Sequence, residues 1–395
     1  MDMREGTKIE KAYLNISVYD AFIMRMDFIF SEFDNIYIAF SGGKDSGTML
    51  QLVFKYMEEQ GINKKIGIFH QDFEAQYQKT TEFVGRIFSR YENISWLYWS
   101  CMPVASRTAL SDHEMYWYTW DPDKKDLWVR DMPDKPYVYN IDNNDFGFYT
   151  YKMPEEKFYK QFGRYYHKRH GGGGTCCLVG VCADESLHRY SSIVNKKNKY
   201  KGQHWLTKQF NNVYAAAPIY DWRVEDIWTA VGKFNFDYNH LYDLYYMAGV
   251  PLDNMRVASP FHDWAKESLY LYKIIEPATW EHLLNRVDGV NFGSIYAKTT
   301  AMAYRDIQLP EGLTWKQYAL FLLNTLPGHI RKQYSKNLDI TEPDKSPVWK
   351  IICRRILKND PDGSHSSCSY RDATKKKQRL DEIKAKYSAF IGGKP

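Results

Sequence analysis

The sequence predicts an α/β protein, with a doubly wound, mostly parallel sheet followed by a helical C-terminal part. The first observation is a series of short, apolar, β-rich runs at 36–40, 66–69 and 94–99. The second is that segments with apolar residues at helical spacing precede and separate these runs, at 18–33, 48–59 and 77–90. Strands that alternate with helices of this length are typical of a parallel sheet covered by helices. The third is a mostly helical pattern from about residue 236, in pieces such as 241–248, 268–275, 279–287 and 315–324.

The alternation is interrupted by an insertion at about 102–170 that is crowded with Trp, Tyr, Asp and Pro. A long segment without a regular pattern is usually a functional lid or disordered, and the aromatic content argues against disorder. The strand pattern returns at 178–180 and 213–217, and a helix is predicted over 223–234. We therefore predict one α/β domain over 1–235, which includes the insertion, and a mainly helical domain over 236–395.

The first strand and the following helix are joined by a glycine-bearing turn, Ser41-Gly42-Gly43-Lys44-Asp45-Ser46-Gly47. This order points free backbone N–H groups and a helix N-terminus at one place, which favours an anion such as a phosphate. Gly42 and Gly43 allow the backbone to approach the anion closely, and Lys44 adds a positive charge. The spacing differs from that of a Walker A loop. The alternative is a glycine-rich turn that binds nothing.

Composition leaves the class of partner open. The 395 residues include 53 basic and 48 acidic ones, and the net charge of +5 is too small by itself to imply nucleic acid. Aromatic residues make up 16% of the chain, with 12 Trp and 32 Tyr, and can form core or stack on bases. Basic clusters occur at 164–169, 196–201 and 375–379, the last within an amphipathic stretch at 374–386. With Trp205 and the insertion, they leave a nucleic-acid surface possible.

Localisation and metal content follow from two further patterns. Residues 1–11 are polar, and no stretch has the roughly 18 apolar residues of a membrane span, so no membrane association is expected. Six cysteines in so long a chain do not form a disulfide framework, which favours a reducing cytoplasm. The stretch 167–182 carries His167, His170, Cys176, Cys177 and Cys182. Because it lacks a Cys-x-x-Cys pair and zinc-like spacing, neither an iron–sulfur cluster nor zinc is expected.

The order Ser-Gly-Gly-x-Asp-Ser at 41–46 resembles the PP-loop of the ATP pyrophosphatases. The resemblance implies an adenine nucleotide α-hydrolase-like fold. It also implies that the loop holds the pyrophosphate end of ATP, carried with Mg²⁺, while a nucleophile attacks the α-phosphorus.

Further motifs resemble the phosphoadenosine-phosphosulfate (PAPS) reductase-like branch of that superfamily. They are Asp72-Phe73-Glu74 with Tyr77 and Thr80, the stretch 180–189 (Gly-Val-Cys-Ala-Asp-Glu-Ser-Leu-His-Arg), and Pro218-Ile219-Tyr220-Asp221-Trp222 with Asp226-Ile227-Trp228. In the second part, 255–261 (Met-Arg-Val-Ala-Ser-Pro-Phe) and 289–293 (Gly-Val-Asn-Phe-Gly) resemble the subfamily of the prophage-gene coactivator IbrA. That resemblance implies a ParB-like protein partner.

Three departures from the family pattern change the expected chemistry. Glu74 stands where the family has Gly, and Cys182 stands where it usually has Arg. The C-terminal Glu-Cys-Gly-x-His nucleophile motif of PAPS reductases is absent from the sequence, and Cys353 and Cys368 lack such flanks. The missing nucleophile motif disfavours reduction of a sulfonucleotide. Because the chain keeps Lys44 and Asp45 in a full loop, where the PAPS reductases have a degenerate one, the resemblance favours ATP as the nucleotide.

The resemblance implies roles for the loop residues and for one arginine. The N–H groups of Gly42, Gly43 and Lys44 would hold the β- and γ-phosphates, with the Ser41 and Ser46 hydroxyls assisting. Asp45 would orient the loop or the Mg²⁺ that the triphosphate carries. Arg189 would offset charge that develops at the α-phosphate. The candidate catalytic residues are Lys44, Asp45 and Arg189.

Five further residues are candidates for nucleotide binding. Asp72 would serve the metal or the ribose, unless it caps a helix. Asp184 and Glu185 could bind the nucleotide or be first-turn acids that suit a helix dipole. Asp221 and Trp222 would tie a turn and stack near the adenine.

Three functions remain open from the sequence. The first is an ATP pyrophosphatase that releases AMP and pyrophosphate or adenylates an acceptor. The second is a regulatory or phage- and prophage-defence-associated protein that binds ATP as a signal and acts with a ParB-like partner on nucleic acid. The third is a PAPS reductase or sulfotransferase-like enzyme. The acceptor and the oligomeric state do not follow from the sequence.

Overall fold

The structure, a computed structural model, describes residues 14–108, 110, 114–194, 199–262, 265, 268–296, 307, 309–335, 338–357 and 360–361. Four sequence predictions lie wholly or partly outside this range. They concern residues 1–11, part of the basic cluster 196–201, Cys368, and the basic stretch 374–386 with its cluster 375–379.

The strands form one large sheet and one small one. In chain order they are β1 Asn35–Ala39, β2 Ile66–Gln71, β3 Ser95–Ser100, β4 Ala105–Arg107, β5 Tyr116–Tyr118, β6 Val138–Tyr139, β7 Thr175–Val179, β8 Lys199–Tyr200, β9 Gln203–Phe210 and β10 Val213–Ala216. The large sheet has eight strands in the order β6-β3-β2-β1-β7-β10-β9-β8, and β4 pairs with β5. Neighbours from β6 to β10 are parallel, whereas β9 is antiparallel to both β10 and β8. The predicted mostly parallel sheet is confirmed.

Helices cover both faces of this sheet and build the C-terminal part. They are α1 Val18–Glu32, α2 Lys44–Glu59, α3 Gln78–Tyr91, α4 Glu155–His170, α5 Leu187–Val194, α6 Val224–Phe234, α7 Leu241–Met247, α8 Leu271–Ile275, α9 Pro277–Arg286, α10 Val290–Tyr296, α11 Trp315–Thr325, α12 Gly328–Ser335 and α13 Pro347–Leu357. Apolar side chains of α1, α2, α3 and α6 form the main core with one face of the sheet. In α2, Met49, Leu52 and Val53 recur at helical spacing, and all three are buried.

The opposite face of the sheet is covered by an aromatic layer from the insertion. Phe158, Phe162 and Tyr166 are spaced four residues apart on α4 and are buried against β1, β2 and β3. The fit is close: a Cβ on Gly67 would lie 2.6 Å from Cε2 of Tyr166. The expectation of an irregular segment through residue 170 was therefore wrong for 155–170. The aromatic residues there obey the helical period and serve as core.

The sequence also gave no indication of the antiparallel edge formed by β8 and β9. Trp205 and Leu206 are adjacent in β9, and both are buried. Their burial breaks the alternation by which a half-buried strand is recognised. Because Trp205 is only 4% exposed, it offers no stacking surface for bases.

The C-terminal part is joined to the α/β domain through shared core. One apolar cluster combines Tyr77 at the start of α3 and Trp117 of β5 with Phe261, Leu269 and Leu283 of the C-terminal part. A separate cluster holds α11, α12 and α13 together around the fully buried Trp349. The second part is therefore docked on the sheet domain on the side of the loop that follows β2.

A buried ion pair marks this junction. Glu74, at φ +65°, accepts hydrogen bonds from Nε and Nη2 of Arg286 in α9, at 2.7 and 3.0 Å. Its carboxylate also accepts from the backbone N–H groups of Trp120 (2.7 Å) and Val129 (3.1 Å). A buried charge is tolerated when its lone pairs are satisfied in this way. Glu74, the departure from the family's Gly, therefore connects the loop after β2 to the insertion and to α9.

A second buried polar cluster lies between the insertion and the C-terminal part. Ser106 Oγ lies 2.8 Å from Nε2 of His262, and Glu155 Oε1 lies 3.8 Å from the same nitrogen. The other oxygen of Glu155, Oε2, is buried without a hydrogen-bond partner among the described residues. Burial raises the pKa of Glu155 to about 7. The folded state therefore favours the protonated carboxyl.

This shift predicts a pH-dependent stability. Between its ordinary pKa of 4.5 and about 7, Glu155 keeps its proton in the folded state and loses it in the unfolded state. Folding stability therefore falls as pH rises through this window, by up to about 3 kcal/mol. Glu155→Gln is neutral at every pH, so it should abolish this fall and raise the melting temperature more at pH 8 than at pH 5. Parallel melting curves of variant and wild type across pH would contradict the assignment.

Candidate functional site

The turn at 41–47 has the geometry of an anion-binding loop. It begins just after β1, and Gly43 is the N-cap residue of α2, whose first residue is Lys44 rather than the predicted Thr48. Gly42 has a φ of +77°, and a Cβ there would lie 2.9 Å from Cγ2 of Thr80. A side chain at this position is therefore excluded both by backbone conformation and by space.

Hydrogen bonds hold the loop from both sides. Within it, the hydroxyls of Ser41 and Ser46 lie 2.8 Å apart, and the backbone N–H of Ser41 donates to Oγ of Ser46 at 3.1 Å. From outside, the buried Nδ2 of Asn239 donates to the carbonyl of Gly42 (3.0 Å) and to Oγ1 of Thr80 (2.9 Å). The loop is thus fixed before any ligand arrives.

The carboxyl ends of β1 and β7 meet at this loop. Gly180, just after β7, lies so close to α2 that a Cβ would be 2.7 Å from the backbone N and Cα of Ser46. Ligands of open α/β sheets bind beyond the carboxyl ends of the strands. The segment that follows Gly180, which contains Glu185 and Arg189, therefore lies beside the loop.

A charge cluster forms where these two chain segments meet. Nζ of Lys44, a side chain only 3% exposed, lies 2.7 Å from Oε1 of Glu185 and 3.1 Å from Oδ2 of Asp45. Arg189 forms an ion pair with the second oxygen of Glu185. The structure therefore brings together the three candidate catalytic residues and one candidate nucleotide-binding residue.

Besides Asn239, two residues of this site were not found from the sequence. The hydroxyl oxygen of Tyr242, in α7, accepts a hydrogen bond from the backbone N–H of Lys44 at 2.9 Å. Nη2 of Arg256 donates to the backbone carbonyl of Glu185 at 2.7 Å. The stretch 255–261 was noticed only for its resemblance to a subfamily, and Tyr242 is one of 32 tyrosines. No local pattern indicated that either residue lies at this site.

Cys182 lies beside the charge cluster as a neutral group. Its Sγ is 3.9 Å from Oδ1 of Asp45. Burial, and next the charge of Asp45, raise the pKa of this thiol well above its ordinary value. Burial also lowers the pKa of Arg189, and Arg256 nearby lowers it further, while Asp45 opposes the shift.

Asp72 lies at the end of β2, but its carboxylate is already engaged. Both oxygens contact the guanidinium of Arg130, and Oδ2 also accepts from Nε1 of Trp99 at 2.8 Å. Oδ1 accepts from the backbone N–H of Glu74 at 2.8 Å. Burial alone would raise the pKa of Asp72, yet Arg130 keeps it below its ordinary value. The proposed role at a metal or ribose therefore stays a prediction.

The remaining candidates have different surroundings. Asp221 forms a two-pronged ion pair with Arg25 of α1, at 2.7 and 2.6 Å, and Trp222 is buried and donates to the carbonyl of Val18 at 3.2 Å. Both residues tie the turn after β10 to α1. Asp184 is half-exposed and lies 3.6 Å from Arg223.

Within the described residues, no group of three or more His, Cys, Asp and Glu side chains could hold a metal ion. The five cysteines described are free and buried, and burial raises the pKa of Cys177 to about 12. The prediction of Mg²⁺ therefore concerns an ion that would arrive with the nucleotide. In the same part of the chain, no helix is long and apolar enough to cross a membrane.

Comparisons with known proteins identify the class. Residues 35–248 match the family model described as "Phosphoadenosine phosphosulfate reductase domain", and residues 249–342 match "Domain of unknown function (DUF3440)". The chain therefore belongs to the phosphoadenosine phosphosulfate reductase domain family, as its motifs predicted. The division at residues 235 and 236 stays a prediction.

One curated relative covers nearly the whole chain. "Uncharacterized protein YbdN" of Escherichia coli (strain K12) is 32% identical over 377 residues, which is 89% of this chain and 90% of the relative. The similarity therefore extends over most of both matched segments of this chain. Membership of the IbrA-like subfamily stays a prediction.

Two solved structures are more distant. PAPS reductase from Candida auris, in a phosphate complex, is 12% identical with a TM-score of 0.31, covering 58% of this chain and 85% of its own. Candida glabrata FMN adenylyltransferase, in complex with FMN and the ATP analogue AMPCPP, is 13% identical with a TM-score of 0.35. The match covers 59% of this chain and 64% of that one.

The contact between Gly180 and α2 can be tested by adding one methyl group. Gly180→Ala places a Cβ 2.7 Å from backbone atoms, so we expect a loss of about 1–3 kcal/mol of stability. Gly85→Ala is the matched control, because it lies in α3 with nothing within 4 Å of the added Cβ. The control should gain about 0.5–1 kcal/mol from helix propensity. Thermal unfolding in which Gly180→Ala is as stable as wild type would refute the close approach.

Proposed function

We propose that this protein binds ATP at the loop 41–46 and cleaves the nucleotide between its α- and β-phosphates. The observation that carries the proposal is the cluster of Lys44, Arg189 and Glu185 at the N-terminus of α2. Two cations and a row of backbone N–H groups suit a polyphosphate, which carries several negative charges close together. The position of the loop at the carboxyl ends of β1 and β7 is also where such sheets bind nucleotides.

In the proposed reaction, an oxygen nucleophile forms a bond to the α-phosphorus. The bond from that phosphorus to the oxygen that bridges to the β-phosphate breaks, and pyrophosphate leaves with the electron pair. The nucleophile loses its proton to solvent, and AMP is either released or joined to the acceptor. Lys44 and the loop N–H groups would stabilise the leaving pyrophosphate, and Arg189 the α-phosphate. Catalysis would then rest on positioning and charge.

Before a triphosphate can use the loop, existing contacts must change. Glu185 holds Lys44 and Arg189 through its two carboxylate oxygens, and Tyr242 holds the N–H of Lys44. Polyphosphate oxygens would replace these partners. Lys44 and Arg189 would exchange a carboxylate partner for phosphate oxygens, while the largely buried Glu185 would lose its cations, so part of the binding free energy is spent on this exchange. The contacts keep Lys44 buried and paired while the nucleotide is absent.

A second function is favoured by the position of Tyr242, which lies in α7, where the helical part begins. A nucleotide that displaces its hydroxyl from Lys44 would also shift α7 against the loop. ATP could thereby act as a conformational signal in an IbrA-like regulatory protein with a ParB-like partner. Nucleic-acid binding by such a complex stays a prediction.

Thiol-based reduction of PAPS is not proposed. Cys353, which lies in α13, is buried in the core that joins α11 to α13. Burial raises the pKa of its thiol to about 12, so the thiolate needed for attack is scarce near neutral pH.

The product distribution tests the proposed function. Incubation with Mg²⁺ and ATP labelled at the α- and γ-phosphates should give labelled AMP, or an adenylylated acceptor, together with labelled pyrophosphate. Formation of ADP and phosphate would contradict cleavage at the α-phosphate. Tight binding without turnover would favour the second function.

A lysine variant tests whether the loop is the binding site. Lys44→Ala removes the charge nearest the proposed polyphosphate, so ATP affinity in titration calorimetry should fall at least tenfold. Lys55→Ala is the control, because Lys55 lies on the same helix and pairs only with Glu59 among described carboxylates. Unchanged affinity in Lys44→Ala would place the nucleotide elsewhere.

A further inference from the structure

The C-terminal part contributes a cation to the candidate nucleotide site. Arg256 lies in the segment matched by the DUF3440 model, and its Nη2 donates to the backbone carbonyl of Glu185 at 2.7 Å. The next residue, Val257, lies over the loop, since its Cβ would be 3.8 Å from a Cβ built on Gly43. The helical part therefore covers the anion-binding turn and brings an arginine to its rim.

The backbone around Arg256 is held in place, and the hydrogen bond from Nη2 to the carbonyl of Glu185 orients its guanidinium. Met255 is only 1% exposed and belongs to the apolar cluster that joins the two parts of the chain. The hydroxyl of Tyr245, in α7, donates to the carbonyl of Arg256 at 3.4 Å. These two contacts anchor the backbone at Arg256 beside the site.

The guanidinium of Arg256 has unused donor capacity. Nε is buried and has no hydrogen-bond partner among the described residues. A buried N–H without an acceptor is costly, and such a group usually has a ligand or water that completes it. At the other end of the group, Nη2 donates to a neutral carbonyl, which does not cancel the positive charge.

The charges at the site do not balance without a ligand. Lys44, Arg189 and Arg256 supply three cations, whereas Asp45 and Glu185 supply two carboxylates. Cys182, which stands where the family resemblance leads one to expect an arginine, adds no charge because its thiol is neutral. Two guanidiniums lie close enough for Arg256 to lower the pKa of Arg189. An anion between them would relieve this repulsion.

We propose that Arg256 is a phosphate ligand of the bound nucleotide, so that the C-terminal part completes a site begun by the PP-loop. The inference rests on the proposed function and adds the residue, and the domain, that the family motifs do not supply. The guanidinium fork suits two phosphate oxygens at once, which a neutral Cys182 cannot replace. The consequence is that nucleotide affinity depends on the docking of the second domain.

The test compares ligands with and without phosphates. Titration calorimetry of the full-length chain with ATP and with adenosine gives the contribution of the phosphates as a ratio of affinities. In Arg256→Gln that ratio should fall at least tenfold, with adenosine affinity unchanged. Arg256→Lys, which keeps the charge but not the fork, should recover part of the loss. Inorganic pyrophosphate and AMP, titrated separately, show which phosphates the arginine contacts.

The matched control is an arginine variant far from the proposed site. Arg169→Gln removes an exposed arginine that pairs with Asp145 on the opposite side of the sheet, and it should leave both affinities unchanged. Equal losses of ATP and adenosine affinity in Arg256→Gln would show a structural role and overturn the proposal, as would no loss at all. If Arg256→Gln does not fold, the ratio of ATP affinity to adenosine affinity is measured for Arg256→Lys instead. A ratio below that of wild type supports the proposal, and an unchanged ratio overturns it. If wild type binds no ATP, or Lys44→Ala binds it normally, the proposed function itself has failed.

Discussion

The site depends on a lysine that is buried at the start of a helix and held there by a carboxylate from the segment that follows β7. Lys44 has almost no exposure to solvent, and its pairing with Glu185 compensates for lost hydration. The pair exists because Gly180 lets the chain after β7 pass against the first turn of α2. Arg189 and Arg256 then assemble around Glu185, one through its side chain and the other through its backbone. Glu185 thus contacts Lys44, Arg189 and Arg256 at once.

A second buried carboxylate explains how the helical part is brought to that loop. Glu74 accepts from Arg286 of α9 and from backbone groups of the insertion, so the loop after β2 and both later segments meet at one residue. A glycine, which the motif resemblance led us to expect here, would have no side chain to form such a junction. Glu74 therefore adds a buried ion pair to the shared apolar core that docks the C-terminal part. This docking places Tyr242 and Arg256 over the loop.

Much of the fold was predictable because it follows from local pattern. The β1–loop–α2 unit and the parallel strands were read from apolar runs and helical spacing, and the candidates Lys44, Asp45, Arg189 and Glu185 do lie together. What could not be predicted depends on contacts distant in sequence. Trp205 and Leu206 are adjacent and both buried, so β9 lacks the alternation of buried and exposed residues by which a strand is predicted. Arg256 is 71 residues from its partner Glu185, and no periodicity encodes such a contact.

A crystal structure of the full-length protein with a non-hydrolysable ATP analogue and Mg²⁺ tests the central claim most directly. We predict density for the triphosphate against the backbone N–H groups of residues 42–44, with Nζ of Lys44 turned from Glu185 to a phosphate oxygen. Density for the nucleotide at another place, with the Lys44–Glu185 pair intact and the loop free of ligand, would contradict the account.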